Sequence, residues 1–223
     1  MIENIIYKQS IVYKENFLRE GPCPKGVFWN NTQSQYLRFQ RLFNQFPKLP
    51  DTFTIHDVGC GICDLHSFLS SKHINHVYSG TEIVQEMVDY SLKKYPGIQI
   101  QNRDILFAPS NEKYDVVVLS GTLNLFSGVS HENWRKYSRS LIKKMYEMSD
   151  ISISFNFLTV YKTFTDPALC YFDPLEMFDF CIKNLSRFVS IDHAYPLYEA
   201  TITVFKKEYI KNMHPEIEFE KYF

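Results

Sequence analysis

The densest chemistry in the chain lies in HDVGCGICD, residues 56–64. The apolar run before it ends at Val58, so Gly59 and Gly61 stand where a strand hands over to a helix. Glycine accepts positive φ and lets a ligand approach the backbone. In a parallel sheet the ligand crevice lies outside the carboxyl ends of the strands, at the switch point. Asp57 precedes this turn and Cys60 sits inside it. Glu82 closes the next strand-like run, VYSGTE, where a carboxylate can accept both hydroxyls of a ribose, as in dinucleotide sites. Asp104 follows a third run, in NRDI, where a carboxylate can accept from an adenine amino group. The dinucleotide pattern GxGxxG is not met, because Asp64 occupies its third glycine position. A nicotinamide reading is therefore the weaker one.

Cys60 and Cys63 have CxxC spacing. A zinc site needs a second ligand pair, and a redox dithiol needs a thioredoxin-like context. Neither accompanies the motif, so both cysteines read as small residues around the glycine turn, and no metal is expected. The candidates for an acceptor end stand after later strands. They are Asn124 and Phe126 after the fourth, Asn156 after the fifth, and Tyr161 and Tyr171 in the irregular connection FNFLTVYKTFTDPALCYFDP, residues 155–174. Long connections in compact domains are often lids or binding loops. His193, in DHAYP, is the candidate general base, because an unperturbed imidazole titrates near neutrality. With Asn156 and Tyr171 it makes up the candidate catalytic set.

The elements that must position these residues alternate. Strands are predicted over residues 54–58, 77–81, 98–101, 114–120, 151–155, 188–192 and 200–206. Helices are predicted over 64–71, 84–95, 132–148 and 175–185. Alternation of this kind argues a mostly parallel sheet with helices on both faces. Two strands close together at the end argue a terminal hairpin, hence one antiparallel strand. Before residue 51, GPCPKG (21–26) reads as a loop. Apolar residues at 36, 37, 39, 42, 43 and 46 give a helix over 33–46. Residues 1–50 are thus a cap belonging to the same domain, 51–207 the core, and 208–223 a tail.

The 223 residues are 45% hydrophobic and 22% charged, with a formal net charge of -1. A nucleic-acid partner is disfavoured, since phosphate contacts call for a basic excess. No apolar run is long enough for a membrane span. MIENIIYKQSIVYKEN carries charges and no small-residue cleavage site, so it does not read as a signal peptide. Five scattered cysteines, an odd number, then suggest reduced thiols and a cytoplasmic setting. The aromatic fraction of 16% suits a core and equally a pocket for a flat or cationic ligand.

Taken in order, DVGCGICD, YSGTEIVQEMVDYSLKKY, NRDI and YDVVVLSGTLN resemble the class I S-adenosylmethionine-dependent methyltransferase family, over about residues 54–126. The strand–helix alternation continues the likeness to residue 206. The resemblance implies an α/β Rossmann-like three-layer sandwich, with a seven-stranded, mostly parallel sheet, one antiparallel strand and an N-terminal helical cap. It also implies places for the cofactor. Gly59, Cys60 and Gly61 would pass under its amino-acid portion, and Asp57 would hold its ammonium. Glu82 would take the ribose. Asp104 and the amide of Ile105 would take the adenine, with Ile83 on the ring. Ser120 and Gly121 would line the site. WNNTQSQYLRF (29–39) is similar to what small bacterial enzymes of this type place before the sheet. There Trp29, Gln35 and Arg38 would close over the cofactor, Arg38 pairing with its carboxylate. Asn156 is not followed by PPY, the amino-methylating motif. Ser120 stands where metal-dependent catechol-type enzymes carry an acid. The activity implied is methyl transfer to an oxygen or nitrogen of a small molecule, by a monomer or homodimer. The alternatives are an enzyme breaking another bond to the cofactor's sulfur, as in aminocarboxypropyl transfer or cyclisation, and a non-catalytic partner subunit of the same fold.

Overall fold

A computed structural model describes residues 2–46, 48–109 and 111–223. In chain order the main elements are α1 (Ile2–Glu20), α2 (Thr32–Phe43), β1 (Phe53–Val58), α3 (Asp64–Ser71), β2 (His76–Glu82), α4 (Gln85–Lys94), β3 (Gln99–Asn102) and β4 (Tyr114–Leu119). They continue with α5 (His131–Met148), β5 (Ser149–Leu158), α6 (Pro174–Asn184), β6 (Val189–Asp192), β7 (Glu199–Phe205) and α7 (Lys207–Met213). The strands form one seven-stranded sheet in the order β3-β2-β1-β4-β5-β7-β6. All neighbours run parallel except β7, which is antiparallel to both β5 and β6. No helix among the described residues is long and apolar enough to cross a membrane.

The core sits on both faces of this sheet. In β4, Val116 and Val118 pack with α2 and α3 residues such as Leu42 and Leu69. The intervening Val117 and Leu119 pack on the other side with Trp134 and Leu141 of α5 and Phe180 of α6. Side chains alternate faces along a strand, so a strand covered on both sides must be apolar throughout. Val116 to Leu119 are all fully buried, which is why VVVL carries no alternation.

The structure departs from the sequence expectations at three places. The first is α1, a nineteen-residue helix within a stretch for which no helix is predicted. Its buried face contains Gln9 and Asn16 beside Ile5 and Phe17, so the apolar period is broken. Those amides are satisfied by main-chain carbonyls: Gln9 Nε2 donates to Leu125 O (2.7 Å), and Asn16 Nδ2 to Lys25 O (2.7 Å) and Gly26 O (2.9 Å). The second is β5, which runs on to Leu158. Asn156 therefore lies inside the strand, opposite Thr201 of β7, rather than in a loop after it. The third is the tail, where α7 and a 3-10 turn (Ile217–Tyr222) follow β7.

Candidate active site

Parallel pairing brings the ends of β1 and β2 level, with Val58 opposite Thr81. The turn after β1 is then tied to β2 by Gly59 N and Cys60 N, which both donate to Thr81 O (2.8 and 3.0 Å). Gly59 has φ 69°, and a Cβ there would overlap the Thr122 side chain. No other residue fits both conditions. The turn places the Gly61 N–H against Glu82 Oε2 (2.9 Å), while Val84 N donates to Oε1 (2.9 Å). A carboxylate has about four lone-pair sites, so Glu82 still has acceptor capacity facing the cavity after these bonds. Burial raises its pKa, and the backbone donors oppose that rise.

Five more acids line one cavity of about 980 Å³ with Glu82: Asp57, Asp64, Asp104, Asp166 and Glu199. Asp57, the penultimate residue of β1, accepts from Tyr78 Oη (2.7 Å). Burial pushes its carboxyl up to about 7, against the Tyr78 bond and with help from Glu82 and Asp64. Asp64 opens α3 and accepts from Gln35 Nε2 (2.9 Å); burial raises its pKa too. Asp104, after β3, accepts from Leu106 N (2.7 Å) and from the Tyr137 hydroxyl, and burial raises it. The two cations on the wall are already engaged. Arg103 pairs with Glu112 (2.5 Å), and Arg38 pairs with Glu199 (2.6 Å). The cavity thus presents buried, proton-hungry carboxylates and no surplus positive charge among the described residues. It can accept hydroxyl and amino hydrogens and attract a cation.

Every residue assigned to the cofactor by sequence lines this cavity: Trp29, Gln35 and Arg38 from the cap, Asp57, Gly59, Cys60 and Gly61 from the first turn, Glu82 and Ile83, Asp104 and Ile105, and Ser120 and Gly121. Trp29 lies against Gly121, whose φ is 79°; a Cβ at that glycine would overlap the indole ring. The Arg38 guanidinium lies over this ring, 4.3 Å from its centroid.

The acceptor-end candidates fare differently. Asn124 reaches the cavity wall. Asn156 does not, because it lies within β5. Its Oδ1 accepts from Gly121 N (2.9 Å) and its Nδ2 donates to Ser120 Oγ (3.1 Å), so it fixes the turn after β4 from behind. His193 is exposed at the end of the edge strand β6, its ring 5.9 Å from that of Tyr161, which is also exposed. Tyr171 turns its hydroxyl back to accept from Asp166 N (3.0 Å), with Lys162 over its ring. Phe126 stacks on His131 at 4.5 Å. None of these five lines the cavity. The residues that do, unforeseen from sequence, include Gln9 and Tyr13 of α1, Tyr137 of α5, Tyr195 and Tyr198 of the β6–β7 turn, and Glu199, which opens β7. The aromatic content of the turn DHAYPLYE is a usable signal for Tyr195 and Tyr198. Tyr137 falls at helical spacing with Trp134 and Leu141 and reads as core.

Cys60 and Cys63 are buried free thiols, and the Cys63 hydrogen bond together with burial pushes the Cys60 thiol up. No group of three or more histidine, cysteine or acidic side chains is placed to hold a metal among the described residues. His56, inside β1, is held by Ser79 Oγ (2.9 Å), and burial lowers its pKa to about 3. It is a neutral core histidine.

A sheet ordered 3-2-1-4-5-7-6 with β7 reversed, a glycine turn after β1 and acids closing the next strands define the class I methyltransferase architecture. No family model matches the chain. Among curated proteins it is 31% identical to the putative methyltransferase Rv1506c of Mycobacterium tuberculosis, over 159 residues that span 70% of this chain and 95% of that protein. Among solved structures it resembles an S-adenosylmethionine-dependent methyltransferase of Leishmania major (TM-score 0.63, 15% identity, 90% of this chain and 83% of that one). It also resembles the magnesium protoporphyrin IX methyltransferase of Synechocystis PCC 6803, solved with S-adenosylmethionine bound (TM-score 0.53, 13% identity, 89% and 97%). The chain belongs to the class I S-adenosylmethionine-dependent methyltransferase family.

Proposed function

We propose that the protein binds S-adenosylmethionine across the carboxyl ends of β1 to β4 and directs its methyl group to an oxygen or nitrogen of a small acceptor. The observation that carries this reading is Glu82. It is buried, it is oriented by main-chain donors, and it keeps acceptor capacity for the hydroxyls of a ribose. The rest of the wall fits the same ligand. Asp57 and Asp64 flank the glycine turn, where an ammonium would restore the ionised form that burial disfavours. Asp104 stands where an adenine amino group would come, with Ile83 and Ile105 beside it. Arg38 offers a guanidinium to a carboxylate. When bound, the cofactor supplies an electrophilic methyl group on a positively charged sulfur.

The chain's own part is binding, alignment and exclusion of water. Aromatic faces at Trp29 and Tyr13 and the acidic wall favour a sulfonium cation. The cap on one side and the connection 159–172 with the β6–β7 turn on the other shield the line of attack, so that acceptor rather than solvent fills it. Among the described residues no histidine or lysine lines the cavity. Any proton the acceptor must lose would pass to one of the wall carboxylates, whose raised pKa values suit a base near neutral pH.

Calorimetry should show S-adenosylmethionine binding at micromolar levels, about -8 kcal/mol. With a panel of small amines and phenols, turnover should release S-adenosylhomocysteine. Release of methylthioadenosine instead would assign the protein to a different bond cleavage, and absence of binding would remove the reading.

A further inference from the structure

Glu199, the first residue of β7, is fully buried and lies on the cavity wall. A buried carboxylate is costly unless paired, and such pairs seldom add net stability over an apolar replacement. Its partner is Arg38. Nε donates to both carboxylate oxygens (2.9 and 2.8 Å) and Nη2 to Oε1 (2.6 Å). This uses one edge of the guanidinium. Of its five N–H groups, the two on Nη1 and the second on Nη2 have no protein partner among the described residues. They form a second fork, of the shape that accepts a carboxylate bidentately. The Trp29 ring packs on the guanidinium, its centroid 4.3 Å from Cζ.

The position of that fork matters. Arg38 lies one turn along α2 from Gln35, whose amide holds Asp64 behind the glycine turn. Asp57, Asp64 and Arg38 therefore bound the same end of the cavity. The other cation on the wall, Arg103, follows β3 beside Asp104 and is committed to Glu112. An α-amino acid brings one ammonium and one carboxylate to this end. The acids answer the first, and Arg38 alone among the wall residues described can answer the second.

We infer that Glu199 is a positioning residue for the cofactor. It holds Arg38 by one edge so that the other edge receives the α-carboxylate, and through Arg38 it makes binding selective for ligands that carry the amino-acid portion. This rests on the S-adenosylmethionine reading above.

Calorimetry with two probes tests it. S-adenosylhomocysteine carries the amino-acid portion, and 5′-methylthioadenosine lacks it. Glu199→Gln should weaken S-adenosylhomocysteine by about tenfold or more, the scale of a lost charge-assisted hydrogen bond. It should leave methylthioadenosine within about twofold, well under the tenfold that 1.4 kcal/mol represents. In an Arg38→Met background, Glu199→Gln should add nothing further, because residues acting as one unit are not additive. If Glu199→Gln does not fold, Glu199→Asp keeps the charge but withdraws it by one methylene and should show the same selectivity. Equal weakening of both probes, or full additivity with Arg38→Met, would make the pair a structural brace between α2 and β7 and overturn the inference. Wild-type protein that binds neither probe would instead refute the cofactor reading, and the inference with it.

Discussion

Asp57 is the residue in which folding and binding pull in opposite directions. Its carboxyl is raised from an ordinary 3.8 to about 7 by burial. An acid with a raised folded-state pKa stabilises the fold fully below its unfolded value, and that contribution is lost as pH rises towards the folded value. Ligand-free protein should therefore lose stability between about pH 4 and pH 7 through this group. Asp57→Asn should melt higher than wild type at pH 8, by about 2–4 °C for each kcal/mol relieved. The difference should shrink as the pH falls below 7, while binding of S-adenosylmethionine weakens. A variant that melts lower at pH 8 would show that the buried charge is already compensated without ligand. Glu82 gives the companion prediction. Glu82→Ala removes the carboxylate proposed for the ribose and leaves the Gly61 and Val84 N–H groups without their partner. It should cost at least roughly 1 kcal/mol in calorimetric affinity; unchanged binding would take Glu82 off the ribose.

At the scale of elements, the turn after β4 joins the sheet to the cap. Gly121 has positive φ, donates its N–H to Asn156 in β5, and meets the Trp29 ring. Gly121→Ala should displace Trp29 and cost about 1–3 kcal/mol through backbone strain and crowding. Trp134 is buried, so a shift in tryptophan emission reports on Trp29, and Trp29→Phe should abolish it. An unchanged spectrum and melting temperature would mean that the indole is not seated on this turn. The same elements show where sequence reading stopped. Asn156 reads as a loop residue because a polar side chain after an apolar run suggests a strand end. It is instead an internal strand residue, with both its amide groups consumed by Ser120 and Gly121 across the gap to β4. The first helix was hidden for a related reason, since Gln9 and Asn16 are buried by long-range bonds to carbonyls that no local pattern announces.

At the scale of the whole molecule, the cavity is closed by segments remote in sequence: α1 and the cap, the connection between β5 and α6, and the β6–β7 turn. The connection is anchored at its base. Thr159 pairs with Phe172, and Leu125 with Leu169, leaving residues between them to face the cavity or solvent. Phe164 is 59% exposed and meets Tyr198 edge-on at 5.6 Å, a contact between two segments that can open. Hydrogen exchange with and without S-adenosylhomocysteine should show protection rising in residues 24–38, 159–172 and 193–199, by local opening free energies well below that of global unfolding. If 159–172 exchanges equally in both states, it is a connector only, and the acceptor enters elsewhere.

The strands of the sheet, and the residues of the glycine turn and strand ends that line the cavity, were legible in the sequence. Periodicity, glycine at a strand end and acids closing successive strands are local signals. Parallel pairing converts that order along the chain into neighbours in space without further information. Tertiary structure alone decided which residues of the later loops line the cavity, and it alone made the Glu199–Arg38 pair. Residues 38 and 199 are brought together because β7 inserts, reversed, between β5 and β6 beneath α2, and no spacing in the chain encodes such a contact. The same insertion left His193 on an exposed edge, buried Tyr195 and set Tyr198 at the cavity rim. A turn's aromatic content can be read from sequence, but which of its side chains faces the ligand is set by the strand register on either side of it.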